Sequence, residues 1–189
     1  RALGAPHAEP FMPDKAAILD HLARSGAVFT NAFRALAPKQ FFAKPGPNQW
    51  SIAETVEHVT IVELGSGKLI RTKLTESEAD AALLAQAEDG TARIEARLGP
   101  EGGPFQAPER VLPKGRWQSA EEMLAVFEEN RAATIDFIEG TSLDLTRYVA
   151  PHPRFGPIHG LDWAYFLALH GERHVLQIER IKQSPTYPA

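Results

Sequence analysis

Apolar positions recur with a helical period in four separated stretches, and no internal repeat or hairpin signal competes with that pattern. The first stretch covers residues 14–36, where Ile18, Leu22, Phe29, Phe33 and Leu36 share one stripe. Pro13 suits its first turn and Pro38 ends it. Residues 37–49, with Pro38, Pro45, Gly46 and Pro47, read as a loop. A capping box opens the second helix: the Ser51 hydroxyl faces the Glu54 N–H, and the Glu54 carboxylate reaches back to the Ser51 N–H. Ile52, Val56, Val59, Ser66 and Ile70 then mark its inner face. Ser119 and Glu122 open the third helix in the same way, ahead of Leu124, Phe127, Ile135 and Ile138, with Gly140 as its C′ residue. The fourth covers residues 161–182 and turns Trp163, Phe166, Leu167, Ile178 and Ile181 inward.

About 45 residues separate the second and third helices, too many for a turn between antiparallel neighbours. Residues 76–98 are rich in Ala and Glu and predict one or two outer helices, whereas Gly and Pro make residues 99–115 irregular. The pattern therefore predicts an all-α domain spanning residues 1–189. It is a four-helix bundle with one long crossover, helices two and three parallel and the other sequential pairs antiparallel.

Composition narrows the function more than the fold. A chain of 189 residues is long enough for one substantial core. Its 20 Lys and Arg against 24 Asp and Glu leave a dispersed charge of −4, without the concentrated basic face that nucleic acid demands. Absence of cysteine removes disulfides, thiolate ligands and cysteine nucleophiles, and fits a reducing compartment. No apolar run approaches a membrane span, and residues 1–6 lack the apolar core of a signal peptide. A cytoplasmic protein with no membrane partner is expected.

The chemistry rests on histidines. His170 and His174 straddle the centre of the fourth helix's apolar stripe. Two neutral imidazoles on a core face leave four ring nitrogens in need of partners, which is costly without a metal or a polar network. His58 lies beside Val62 at the edge of the second helix's inner face. If these helices run antiparallel, His58 and His174 both sit roughly 10–12 Å from one end of the bundle. The same reasoning puts His152 and His159 at the opposite end, outside the site, while His7 and His21 have no partner pattern. A zincin motif fails because Gly171 stands where its glutamate belongs, and no Glu-x-x-His pair supports a ferritin-like di-iron site.

Two segments carry a resemblance to a known family. Trp50-Ser51-Ile52-Ala53-Glu54-Thr55-Val56-Glu57-His58 resembles the motif that opens helix two in the DinB-like superfamily, which includes the YfiT-like metal-dependent hydrolases. His170-Gly171-Glu172-Arg173-His174-Val175-Leu176-Gln177-Ile178 resembles its helix-four motif. The resemblance covers nearly the whole chain. It implies a four-helix bundle with His58, His170 and His174 as the ligands of a divalent metal, without distinguishing zinc, nickel or iron. Relatives include transferases and isomerases that use low-molecular-weight thiols, and homodimers are expected.

Three neutral histidines with open positions match a catalytic ion better than a closed structural one. Such an ion lowers the pKa of a bound water or thiol, and here any sulfur nucleophile must arrive as a cofactor. Two readings follow. One is a metal-dependent enzyme of thiol S-transferase or hydrolase type acting on a small molecule. The other is a non-catalytic bundle with a structural or vestigial ion. The mouth is expected where helices two and three begin, lined by Trp50, Arg116 and Trp117. Glu63 and Arg131 each lie twelve residues beyond a serine cap, near the centre of an apolar face. Parallel helices would bring them to one depth as a buried ion pair, with Glu63 also orienting His170.

Overall fold

A computed structural model describes residues 13–99, 103 and 106–189. Residues 1–6 and His7 lie outside the described residues, as do 100–102, 104 and 105 of the crossover. Four long helices form the bundle: α1 (Lys15–Asn31), α3 (Ile52–Arg71), α6 (Ala120–Gly140) and α7 (Gly160–Lys182). Between them come the single turn α2 (Pro38–Phe41), the crossover helices α4 (Ala81–Ala87) and α5 (Gly90–Leu98), and a hairpin of β1 (Val149–His152) and β2 (Gly156–His159).

Local chemistry sets the helix starts. Asp14 caps α1 by accepting from the Ala17 N–H at 2.8 Å. At Ser51 both halves of the capping box form, at 2.8 and 3.1 Å. At Ser119 only one half forms, because the Glu122 carboxylate takes the Gln118 N–H instead. Two smaller expectations change. α1 already stops at Asn31, so Pro38 begins α2, at a helical position where its missing N–H has no partner to lose. Gly140 is the last residue of α6, not a left-handed C′ residue; the positive φ angles belong to Gly115 (72°) and Gly156 (70°).

The hairpin corrects the all-helical reading of residues 141–159. Its antiparallel register places Pro151 opposite Pro157. A proline in each short strand removes the ladder donors that a strand pattern would advertise. The strands still hydrogen-bond to each other, and packing holds the hairpin on the bundle, since Phe155 and Ile158 are buried in the cluster that includes the start of α7.

Within the bundle, α1 lies along α6 and α7, and α3 also lies along α6 and α7. Helices consecutive in the chain, α1 with α3 and α6 with α7, therefore occupy the diagonals. Contacts between α3 and α6 advance together, from Glu57 beside Arg116 to Arg71 beside Thr134, so these two helices run parallel. α1 opposes α6, since Lys15 meets the Glu139 carbonyl while Arg34 meets Glu128. The long crossover makes the parallel pair possible. Its helix α5 is docked on the bundle: Thr91 bonds Asp162 at 2.6 Å, and Arg93 donates to the Phe155 carbonyl at 2.8 Å.

Two apolar clusters fill the interior, one around Ile18, Ile70, Ile138 and Leu167, the other around Phe29, Phe33, Val59, Phe127 and Ile178. A polar layer interrupts them. At its centre Arg131 donates to Glu63 through Nε at 2.6 Å and Nη2 at 2.9 Å, with the two residues 4% and 1% exposed. Arg131 Nη1 also donates to the Leu22 carbonyl and the Ser25 hydroxyl, and Nη2 reaches the Leu167 carbonyl. One guanidinium on α6 thus ties α1, α3 and α7 together. Just beyond it, Gly67 lets α3 approach α6 so closely that a Cβ there would lie 2.7 Å from Asn130 Nδ2 and Thr134 Oγ1.

Arg131→Ala leaves a carboxylate buried without its partner and is expected to cost about 3–5 kcal/mol in urea unfolding. The double change Glu63→Leu, Arg131→Met removes both charges and should cost less than Arg131→Ala. A neutral Arg131→Ala would show that the clamp carries no energetic weight. Gly67→Ala overpacks the α3–α6 contact, and a loss of about 1–3 kcal/mol is expected from the same measurement.

Candidate metal centre

His58 sits two turns into α3, and His170 and His174 are one turn apart on α7. Because α3 and α7 pack side by side in opposite directions, the three imidazoles meet. The Nε2 atoms of His58 and His170 are 3.3 Å apart, and one nitrogen from each of the three lies within 4.8 Å of the others. Ring centroids are separated by 4.6–5.2 Å. His58 and His170 are buried, and His174 is partly so.

The outward nitrogens are assigned by their partners. His58 Nδ1 donates to the Val111 carbonyl at 2.8 Å, and His174 Nδ1 donates to Gln177 Oε1 at 2.8 Å. Both residues are thereby left with a bare Nε2 aimed inward. Burial then keeps the rings neutral. It lowers the pKa of His58, lowers that of His174 to about 3, and holds His170 well below the ordinary histidine range, with the neighbouring imidazoles adding to the last two. The lone pair on His58 Nε2 faces His170 Nε2 at 3.3 Å, and a ring nitrogen of His174 lies within 4.8 Å of both, so three ring nitrogens converge on one point. A separation of about 3.3 Å is also the edge of a tetrahedron of imidazole nitrogens around an ion at about 2.0–2.1 Å. The donor set fits a divalent metal.

One residue essential to this arrangement has no signature in the hydrophobic pattern. Glu57 is 2% exposed, and its carboxylate accepts the backbone N–H groups of Lys114, Gly115 and Arg116 at 2.8–3.0 Å. It anchors the end of the crossover, and so holds the Val111 carbonyl against His58. The available clue was Gly115, whose positive φ turns successive N–H groups toward one anion.

Two openings reach the histidines. A cavity of about 310 Å³ ends at His58 and His170 and is walled by Val62, Leu69, Trp163 and Phe166. A wider, more polar groove of about 1090 Å³ ends at His58 and His174 and passes Gln49, Trp50, Gln177 and Arg180. Trp50 lies at the expected mouth, its ring 5.2 Å from that of His58.

Arg116 and Trp117 line neither opening, which corrects their expected place. The bonds to Glu57 turn the Arg116 side chain out to solvent, and Trp117 packs on the apolar cluster of Phe29 and Phe127. Glu63 stands beside Arg131 as expected, but both its oxygens go to the guanidinium and none to His170. His152 does not lie at the far end of the bundle. The hairpin carries it back to line the cavity shared by His58 and His170. His159, by contrast, caps α7 eleven residues before His170, about 16 Å along the helix. His21, patternless in the sequence, pairs with Glu172 at 2.7 Å.

Among the described residues, no helix is long and apolar enough to cross a membrane. The chain is similar to several known proteins. YuaE, an uncharacterized protein of Bacillus subtilis, is 23% identical over 159 residues, covering 81% of this chain and 90% of its own. The crystal structure of TT2238, a four-helix bundle protein, superposes with a TM-score of 0.57 at 19% identity, covering 88% of this chain and 99% of that one. YfiT from Bacillus subtilis, described as a probable metal-dependent hydrolase with an unusual four-helix bundle topology, gives 0.58 at 14% identity over 94% of each chain. At these identities the likeness to both structures concerns the fold. The DinB superfamily profile matches residues 21–178, a span that runs from α1 through all three histidines, and the chain belongs to that superfamily.

Proposed function

We propose that this protein is a metal-dependent enzyme that transfers a group from a small molecule to water or to a low-molecular-weight thiol, as a hydrolase or thiol S-transferase. The observation that carries the reading is the pair of openings converging on one cluster of three imidazole nitrogens. A structural ion needs no access, whereas a reaction between two partners needs two approaches. The apolar cavity suits the body of an organic substrate, and the polar groove suits water or a hydrophilic thiol. The description of YfiT as a probable metal-dependent hydrolase points the same way.

His58, His170 and His174 would hold the ion. When bound, it supplies Lewis-acid chemistry, polarising a substrate oxygen or acidifying a protic reactant at neutral pH. The chain's own residues do the rest. Val111 and Gln177 fix the rings of His58 and His174, Glu57 holds the loop that carries Val111, and the apolar walls exclude water. No cysteine is present, so a sulfur nucleophile must come from outside.

Metal analysis of protein purified without chelator should give one equivalent of a divalent ion, lost in His58→Ala and in the triple His→Ala variant. Stoichiometric metal in the triple variant would end the assignment of the ligands. Ester hydrolysis, or thiol-dependent consumption of an electrophile, should require the metal and vanish in His58→Ala. Metal removal that melts the bundle with no turnover in any screen would instead favour a structural ion.

Acid should destabilise the metal-free protein. The unfolded histidines take up protons near pH 6.5, whereas His174 in the fold resists until about 3 and His58 and His170 are also shifted down. Below about pH 6.5 the unfolded state therefore binds more protons, and stability is expected to rise with pH from about 3 to 6.5 and level off above. Thermal unfolding of the chelated protein between pH 5 and 8 checks the slope, and a flat profile would contradict the burial of neutral rings.

A further inference from the structure

The geometry points to a binding site for an apolar carboxylic acid in the cavity beside His58 and His170, with His152 and Arg110 receiving its carboxylate. The cavity, about 310 Å³, is at the lower end of the range for small-molecule sites, roughly 300–1,000 Å³. Ile61, Val62, Leu69, Leu98, Trp163 and Phe166 give it apolar walls. No Asp or Glu lines it among the described residues, while Arg110 and Arg154 both do. Apolar walls with charge of one sign focus that field on an anion.

His152 supplies the directional contact. Its Nδ1 accepts the Arg154 backbone N–H at 3.2 Å, so the ring proton sits on Nε2, which has no hydrogen-bond partner among the described residues. The ring cannot turn away. It stacks on Phe155 at 4.4 Å and 22°, with Trp163 at 4.8 Å and Phe166 at 4.6 Å. Burial and the two arginines hold its pKa down to about 4, so it acts as a neutral donor. Only 9% exposed, the residue offers an N–H to a ligand in a cavity with apolar walls. Arg110 is exposed at the rim, without an ion pair among the described residues. Arg154 is tied to the Gln106 carbonyl and adds to the field from its place in the wall. One fixed N–H and one guanidinium suit an acceptor with two oxygens. Through Phe166, which touches both His152 and His170, the far end of such a ligand is brought toward the histidine cluster.

That this ligand is a substrate or product rests on the catalytic reading of the metal centre, whereas its binding does not. The two are separated by calorimetric titration of octanoate, 1-octanol and octylamine into chelated and zinc-loaded protein. Octanoate should bind at least tenfold more tightly than 1-octanol in both forms, and octylamine more weakly than either. Arg110→Gln and His152→Phe should each lower octanoate affinity about tenfold, the weight of one charge-assisted hydrogen bond, and leave 1-octanol unchanged. Val62→Trp should block both ligands. Equal affinity for acid and alcohol in the wild type would overturn the proposal, as would an acid preference that survives both substitutions. A preference present only in the zinc-loaded protein would overturn it too, since the ion and not His152 or Arg110 would then read the carboxylate. Arg110 lies on the surface, so its variant keeps the test decisive even if His152→Phe folds poorly. Tight octanoate binding without turnover of any octanoyl ester or thioester by the loaded protein would sink the catalytic reading alone.

Discussion

A carboxylate and a guanidinium buried at mid-bundle constrain every other packing choice in this protein. Glu63 and Arg131 are tolerable in the interior only if they meet with their hydrogen-bonding capacity filled, since an unpaired charge there costs a large share of a domain's stability. That requirement sets the register of α3 against α6. The spare donors of Arg131 then set the depth of α1 and α7, whose Leu22 and Leu167 carbonyls they take. Asn130 donates to the Glu63 carbonyl, Arg71 reaches Asn130 and Thr134, and Gly67 leaves the room these contacts need. An apolar core tolerates a helix sliding by a turn. This layer does not.

The histidine cluster inherits that precision. His170 lies one turn beyond Leu167 on α7, and His58 lies just over one turn before Glu63 on α3, so the clamp that fixes those neighbours also fixes the distance between the rings. Desolvation then supplies the chemistry. The burial that would be wasteful for a surface imidazole keeps these three neutral, the form in which histidine binds a metal. Structure and reactivity draw on one physical cause, the exclusion of water from the middle of the bundle.

The crossover and the hairpin convert a bundle with a metal cluster into a site with walls. Neither belongs to the four-helix core: Thr91 with Asp162 and Glu57 with the loop before α6 pin the crossover to it, the Trp163 indole holds the Ala150 carbonyl of the hairpin, and Arg93 ties crossover and hairpin together. Through them the site acquires two openings of different polarity, and His152 enters the cavity from a strand that follows α6.

How much of this was legible beforehand depends on the range of the interaction. The long helices and the Ser51 capping box follow from contacts three or four residues apart, which periodicity and caps record directly. His58, His170 and His174 stood out because polar rings on apolar faces contradict their surroundings, and Glu63 and Arg131 for the same reason. Equal spacing from two serine caps even implied that the pair would share a depth. Other features depend on partners far away in the chain. The hairpin pairs two prolines and lacks a strand pattern, and burial of Phe155 and Ile158 with the start of α7 places it. Glu57 looked like an ordinary helix glutamate until the fold brought three N–H groups to it from residues 114–116. His152 was assigned to the wrong end because depth along a helix says nothing about a strand that folds back. Sequence alone determined which side chains had to find buried partners. Only the tertiary structure decided which partners those were, because the energy of a desolvated polar group depends on the atoms that surround it in space and not on its neighbours along the chain.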